Sequence, residues 1–228
     1  MAQLTGIFDG LSGRVGNIVY VRRGGKTFVK RLPSKRKTPY TELELSKHSI
    51  FGLVCKIAGR ICQVEELKHF WKPVRSKNQS SSNRIFKANY NQFDIEKFEG
   101  FIYLSPELGF YLNEPLLKIC RSGLQIECDP ITNSDFDYNN KAKYFIAAGI
   151  ILLKSPKQED YPEYDIISFK SEKILINPDS LIDIKIELKG AELNKWKGYS
   201  IKKAFATLIT IDDLGNPLRN SQILVSNP

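Results

Sequence analysis

The sequence predicts an α+β fold, mainly β, with a hairpin and a helix at the front and antiparallel strands at the rear. Three observations carry this. "NIVYVRR" and "KTFVKRL" flank Gly24-Gly25, a two-residue turn signal between β-branched and aromatic runs. Phe51, Val54, Cys55, Ala58, Ile61 and Cys62 recur at three- and four-residue steps, the period of one helix face. Beyond residue 98, short runs of alternating hydrophobicity follow one another between turn signals.

Taken in order, the first strand places Ile18, Tyr20 and Arg22 on one face and Val19, Val21 and Arg23 on the other. Pro33 ends the return strand, because proline cannot donate to a ladder. A lone hairpin is marginal in water, so this one is expected to lie on further structure. Thr41 and Glu44 have capping-box spacing and start a helix of five or six turns. "VEELKHFW" extends that helix or begins a second, with Pro73 ending it, and "SKNQSSSN" at 76–83 reads as a flexible polar connector. The rear runs are "FIYLS", "LQIEC", "KYFIAAGIILLK", "YDIISF", "LIDIKIEL", "IKKAFATLITI" and "SQILVS". In "LIDIKIEL", Ile182, Ile184, Ile186 and Leu188 oppose Asp183, Lys185 and Glu187, a strand with one wet face. "DDLGNP" is a tight turn between the last two runs. Roughly seven strands at this spacing fit an antiparallel immunoglobulin-like β-sandwich. The expected organisation is a basic hairpin and helical region over 1–97 and the sandwich over 98–228.

A hydrophobic content of 42% supports a core and excludes a disordered chain. The longest apolar run, "FIAAGIILL" at 145–153, is short of the about 20 residues a membrane helix needs. No membrane insertion is expected. The start shows no secretory leader, so the expected location is the cytoplasm, or a virion if the chain is phage-derived. Cys55, Cys62, Cys120 and Cys128 form no C-x-x-C pair and read as buried free thiols, with a bond between the last two left open. Residues 1–40 hold nine Lys or Arg against one acid, whereas 99–228 hold fifteen against eighteen. A basic front on an acidic rear points the front towards a polyanion or an acidic partner.

Motifs for chemistry are sparse. "GGKT" at 24–27 lacks the earlier P-loop glycine, since Tyr20 holds that position, and it sits in a hairpin turn. Gly10, Gly13 and Gly16 have G-x-x-G-x-x-G spacing, a poor dinucleotide fingerprint. His48, Cys55 and Cys62 are seven residues apart in turn, about 10 Å of helix rise, too far to share one zinc ion. "DFDYNN" at 135–140 starts like a calcium loop but has Asn140 and Ile146 where glycine and glutamate are required. The carboxylates of "KQEDYPEYD" at 157–165 read as a solvated loop rather than an acid/base pair. No enzyme, cofactor or metal is expected.

The basic arm remains. Arg14, Arg22, Arg23, Lys26, Lys30, Arg31, Lys35, Arg36 and Lys37 interleave with Tyr20 and Phe28. Cations beside aromatic platforms suit phosphate and base contacts. The competing readings are a protein partner, self-association, and edge lysines that prevent aggregation.

The opening stretch, with Gly13, Val15, Gly16, Val19, Arg31, Pro33, Thr41 and Glu42, resembles an uncharacterised Bacteroidota family catalogued as a domain of unknown function. That family tends to open with a G-x-x-G-K-V-G-x-V-V stretch followed by R-x-x-P and T-E elements. "AFATLITIDDLGNPLRNSQIL" is similar to its last hairpin, with Ser221 and Gln222 on its pattern. The resemblance covers both ends of the chain, departs at Tyr20 to Arg23, and implies a mixed N-terminal unit followed by an immunoglobulin-like sandwich, with no catalytic residues. The expected function is a non-enzymatic binding or assembly protein that meets its partner through the basic hairpin. The alternative is a nucleic-acid-associated or virion structural protein gripping phosphates through residues 14–37.

Overall fold

The computed structural model describes residues 2–4, 12–23, 25–34, 38–72, 79–107, 109–131 and 141–226, with the backbone alone for Ala2–Leu4 and Arg23. The chain divides into two compact units, Met1–Leu45 and Ser46–Pro228. The fold is α+β, mainly β, with antiparallel sheets and an N-terminal hairpin followed by a helix.

The first unit holds β1 (Ala2–Leu4), β2 (Gly13–Val15), β3 (Ile18–Arg23) and β4 (Lys26–Arg31) in one sheet of order β1-β4-β3-β2. Arg23 stands opposite Lys26, so the hairpin loop has two residues, and Gly25 adopts the left-handed φ of 78° such a turn needs. The expected hairpin is therefore present, and β1 and β2 flank it on both edges.

Helix α1 (Glu42–Gln63) starts at the expected capping box. The Thr41 N–H donates to Glu44 Oε2 at 2.9 Å, and the Glu44 N–H donates back to Thr41 Oγ1 at 3.3 Å. Its buried stripe is Leu53, Val54, Ile57, Ala58 and Ile61. Phe51 and Cys55, expected in the stripe, are exposed. The run 50–62 is apolar at so many positions that its spacing fits two frames one residue apart, and packing selects between them.

Helix α2 (Glu65–Phe70) is separate from α1, and α3 (Ser81–Asn89) begins inside the expected connector. Ser80 Oγ accepts the Asn83 N–H at 3.2 Å, so this serine is an N-cap. Next come β5 (Phe93–Asp94), β6 (Glu99–Gly100), β7 (Leu116–Cys120), β8 (Gly123–Cys128), β9 (Tyr144–Pro156), β10 (Tyr164–Lys170), β11 (Ile174–Leu175) and β12 (Ile182–Glu187). Helix α4 (Gly190–Gly198), β13 (Tyr199–Ile211), β14 (Pro217–Asn220) and β15 (Leu224–Val225) complete the chain. "FIYLS", expected as a strand, is irregular, yet its Ile102 and Leu104 are fully buried.

Two sheets face each other: β7-β8-β12, and β10-β9-β13-β14 with β11 on β9 and β15 on β13. Lettered A, B, C, C′, E, F and G in chain order, β7, β8, β9, β10, β12, β13 and β14 give sheets A-B-E and C′-C-F-G. This is an immunoglobulin-like order with the fourth strand moved to the second sheet. The run 145–153 belongs to β9, which is covered on both faces. Phe145, Ala147, Ile151 and Leu153 join the core between the sheets, with Leu124, Ile126, Ile184 and Ile186. Ile146, Ala148, Ile150 and Leu152 join a second core with Leu53, Ile57 and Ile61 of α1 and Leu67 of α2. A strand between two apolar layers reads as a continuous run rather than an alternation. The helices α1, α2 and α3 thus share a core with β9, β10 and β13.

Candidate polyanion-binding surface

In β3–β4, Val19 pairs with Lys30, Val21 with Phe28, Tyr20 with Val29, and Ile18 with Arg31, while Arg14 of β2 pairs with Val19. Residues directly opposite share a face. Arg14, Lys26, Phe28 and Lys30 therefore lie on one face with Val19 and Val21. Tyr20, Arg22 and Arg31 lie on the other with Ile18, Thr27 and Val29.

Along β4, Lys26, Phe28 and Lys30 alternate, which places the two lysines about 13 Å apart with the ring between them. The three strands from Gly13 to Arg31 contain no Asp or Glu, so no carboxylate within them neutralises these charges. Arg14, Arg22, Lys26, Lys30 and Arg31 are exposed, and Phe28 and Tyr20 are half-buried. Arg14 Nε donates to Gly16 O at 2.9 Å, which holds that guanidinium beside the β2–β3 turn. Gly16 has a φ of 57° there, a conformation that favours glycine. The two aromatics, interleaved with the cations along the sequence, are separated by the register onto opposite faces. Arg23 contributes its backbone to the pairing with Lys26, and Lys35, Arg36 and Lys37 lie outside the described residues.

The second unit uses its polar groups structurally. Asp165 is held between Lys195 at 2.7 Å and Arg60 at 4.0 Å. Its loop neighbours Glu159, Asp160 and Glu163 are exposed. Trp196 Nε1 donates to Arg121 O at 3.1 Å and the Tyr199 hydroxyl donates to Pro162 O at 2.9 Å, so α4 closes one end of the sandwich. His48 and His69 are exposed. Among the described residues, no three His, Cys, Asp or Glu side chains could hold one metal ion.

All four cysteines are free. Cys55 and Cys120 are exposed, Cys62 is half-buried and Cys128 is buried, so the expected burial holds for Cys128 alone. Burial pushes the Cys128 thiol up to about 11, with the Asp129 carboxylate adding to the effect. The stretch 135–140 lies outside the described residues.

A groove of about 590 Å³ runs between the start of α1 and the β5–β6 turn, with Asp94, Glu96 and Glu99 in its lining. Asp94 Oδ1 accepts the N–H groups of Glu96 and Lys97, so its charge serves the turn. A second groove, of about 770 Å³, lies between β7 and the start of β13. Sequence reading missed both β7 and this groove. "LLKIC" is short and borders a proline-containing loop, and the groove exists only once two sheets are stacked. No helix among the described residues is long and apolar enough to cross a membrane. No family model, curated protein or solved structure matches the chain.

Proposed function

We propose that the chain is a non-enzymatic binding protein that meets an acidic protein partner through the basic face of its N-terminal sheet. The sandwich unit serves as its scaffold. One observation carries this reading: Arg14, Lys26 and Lys30 share a sheet face with Phe28, on strands without a carboxylate. Two copies meeting through this face would oppose like charges, so the partner is a foreign acidic surface rather than a second copy. The ion pairs of Asp165 with Lys195 and Arg60 favour a structural role for that carboxylate over acid–base chemistry.

The test is retention on immobilised poly-glutamate at low salt, for the wild type, for Arg14, Lys26 and Lys30 together changed to Gln, and for Arg22 and Arg31 changed to Gln. The first variant loses retention and the second keeps most of it. Equal retention by all three proteins rejects the face assignment.

Phe28 between two lysines favours a second reading, nucleic acid held by phosphate and stacking contacts. Under that reading single-stranded RNA binds more tightly than poly-glutamate, and Phe28→Ala costs about 1–3 kcal/mol of RNA affinity. The three-residue variant then reduces the salt slope for a single strand by about 2. No RNA retention at low salt eliminates this reading.

A further inference from the structure

Two helices of the second unit carry cations and no carboxylate. From Ser46 to the end of α1 at Gln63 the sequence has Lys47, Lys56 and Arg60 and no Asp or Glu. From Ser81, where α3 begins, to Phe93 it has Arg84 and Lys87 and likewise no acid. Three of these cations are engaged within the fold. Lys56 Nζ lies 4.5 Å from the Tyr164 ring centroid, Arg60 donates to Gln63 Oε1 at 3.0 Å, and Arg84 donates to the carbonyls of Trp71 and Lys72. Lys47 and Lys87 are exposed, and neither pairs with a carboxylate among the described residues.

Beside these two lysines the helices bring together a row of rings. Phe51 is 54% exposed and Tyr90 is 36% exposed. Phe86, half-buried, touches both, with ring centroids 5.0 Å from Phe51 and 5.4 Å from Tyr90. Lys47 precedes Phe51 by four residues along α1, and Lys87 precedes Tyr90 by three along α3, spacings that make each lysine a surface neighbour of its ring. Buried Ile85 and Asn89 already anchor α3, Asn89 through bonds to Ile85 O and Tyr103 O, so the exposed faces of Phe51 and Tyr90 are surplus to that attachment.

We propose that this patch binds single-stranded nucleic acid, with one base stacked on Phe51, a second on Tyr90, and the neighbouring phosphates held by Lys47 and Lys87. Exposed rings beside unpaired cations match both parts of such a ligand, because every base offers a π-face and every linkage a negative charge. A duplex keeps its base faces stacked inside, so only a single strand can use the rings. A second copy of the chain would bring Lys47 and Lys87 up to their own counterparts, and an acidic peptide would answer the lysines without a flat face for the rings. On the adjoining face of α1, Ser46 and Ile50 border the 590 Å³ groove, whose Asp94, Glu96 and Glu99 repel phosphate and so confine the strand to the ring side. Every residue of the patch belongs to the second unit, which makes the inference independent of the N-terminal sheet.

The experiment uses the full chain with Arg14, Lys26 and Lys30 changed to Gln, so that the N-terminal sheet contributes little, and a short fluorescent oligouridylate containing 5-iodouracil. Anisotropy at low salt reads binding, and irradiation followed by peptide mapping reads the location. Expected are cross-links on peptides carrying Phe51 or Tyr90, and a loss of affinity of at least about fivefold for Phe51→Ala and for Tyr90→Ala, each added to that background. Lys47→Gln with Lys87→Gln lowers the salt slope by about 1.4. Tyr111→Ala, which removes an exposed tyrosine outside the patch, leaves affinity unchanged. Absence of binding at low salt overturns the proposal, as do cross-links confined to other residues or ring variants that bind like their parent. Poly-glutamate bound as tightly as the oligonucleotide assigns the patch to an acidic protein and overturns it equally.

Discussion

Ser221 offers a direct check on how the last strands are held. Its hydroxyl replaces a backbone partner: Oγ accepts the Leu208 N–H at 2.9 Å, donates to Gln222 O at 2.8 Å and lies 3.2 Å from Thr207 Oγ1. The residue is fully buried beside Leu208 in the inter-sheet core. Ser221→Ala removes one oxygen and leaves the Leu208 N–H without an acceptor, and the space vacated is too small for water. A buried donor left unpaired costs about 1–3 kcal/mol, and the hydrogen bond lost at Gln222 adds to that. The expected loss is about 2–3 kcal/mol, which for a unit of this size lowers Tm by roughly 5–10 °C. Urea unfolding of the full chain measures it, with the m-value unchanged because the exposed area is the same. Ser180→Ala, which removes an exposed bond to Asn177 O, serves as the control and stays within about 0.5 kcal/mol. A Ser221→Ala protein as stable as that control would refute the claim that serine oxygens stand in for ladder bonds here.

Ser226→Ala strands the Ala204 N–H in the same way and is expected to cost about 1–3 kcal/mol, together with faster exchange of that amide by NMR. Gly149 lies mid-strand in β9, where an added Cβ would come within 2.0 Å of Phe205 O, so Gly149→Ala should cost about 3 kcal/mol or abolish folding, as read by circular dichroism. Asn89 is buried, donates to Ile85 O and Tyr103 O, and accepts the Tyr103 N–H; Asn89→Leu is expected to lose about 2–3 kcal/mol in urea melts by detaching α3 from residues 101–104. For Cys128 the thiol titrates near 9 when unfolded and at about 11 when folded, so the unfolded state loses its proton first as pH rises. Stability therefore falls by about 1.4 kcal/mol per pH unit between pH 9 and 11, and Cys128→Val shows a correspondingly shallower fall over that window.

The parts of the fold legible in sequence are those written in local chemistry. Gly24-Gly25 marks the hairpin because a two-residue loop demands left-handed backbone, and Thr41 with Glu44 marks the start of α1 because their side chains complete each other's backbone bonds. "LIDIKIEL" states its own buried face, and Ile184, Ile186 and Leu188 are indeed buried. Where local chemistry is ambiguous, tertiary packing decides. Ser80 looks like one more linker serine until Asn83 folds back on it. Phe51 fits an apolar stripe as well as Leu53 does, but the face of the large sheet takes Leu53, while Phe51 lies against Phe86 at 5.0 Å.

The candidate surfaces follow the same logic at longer range. Which residues are cationic is plain in the sequence, but whether Phe28 or Tyr20 accompanies a given cation depends on pairing register. That register places Phe28 with Lys26 and Lys30, and Tyr20 with Arg22 and Arg31.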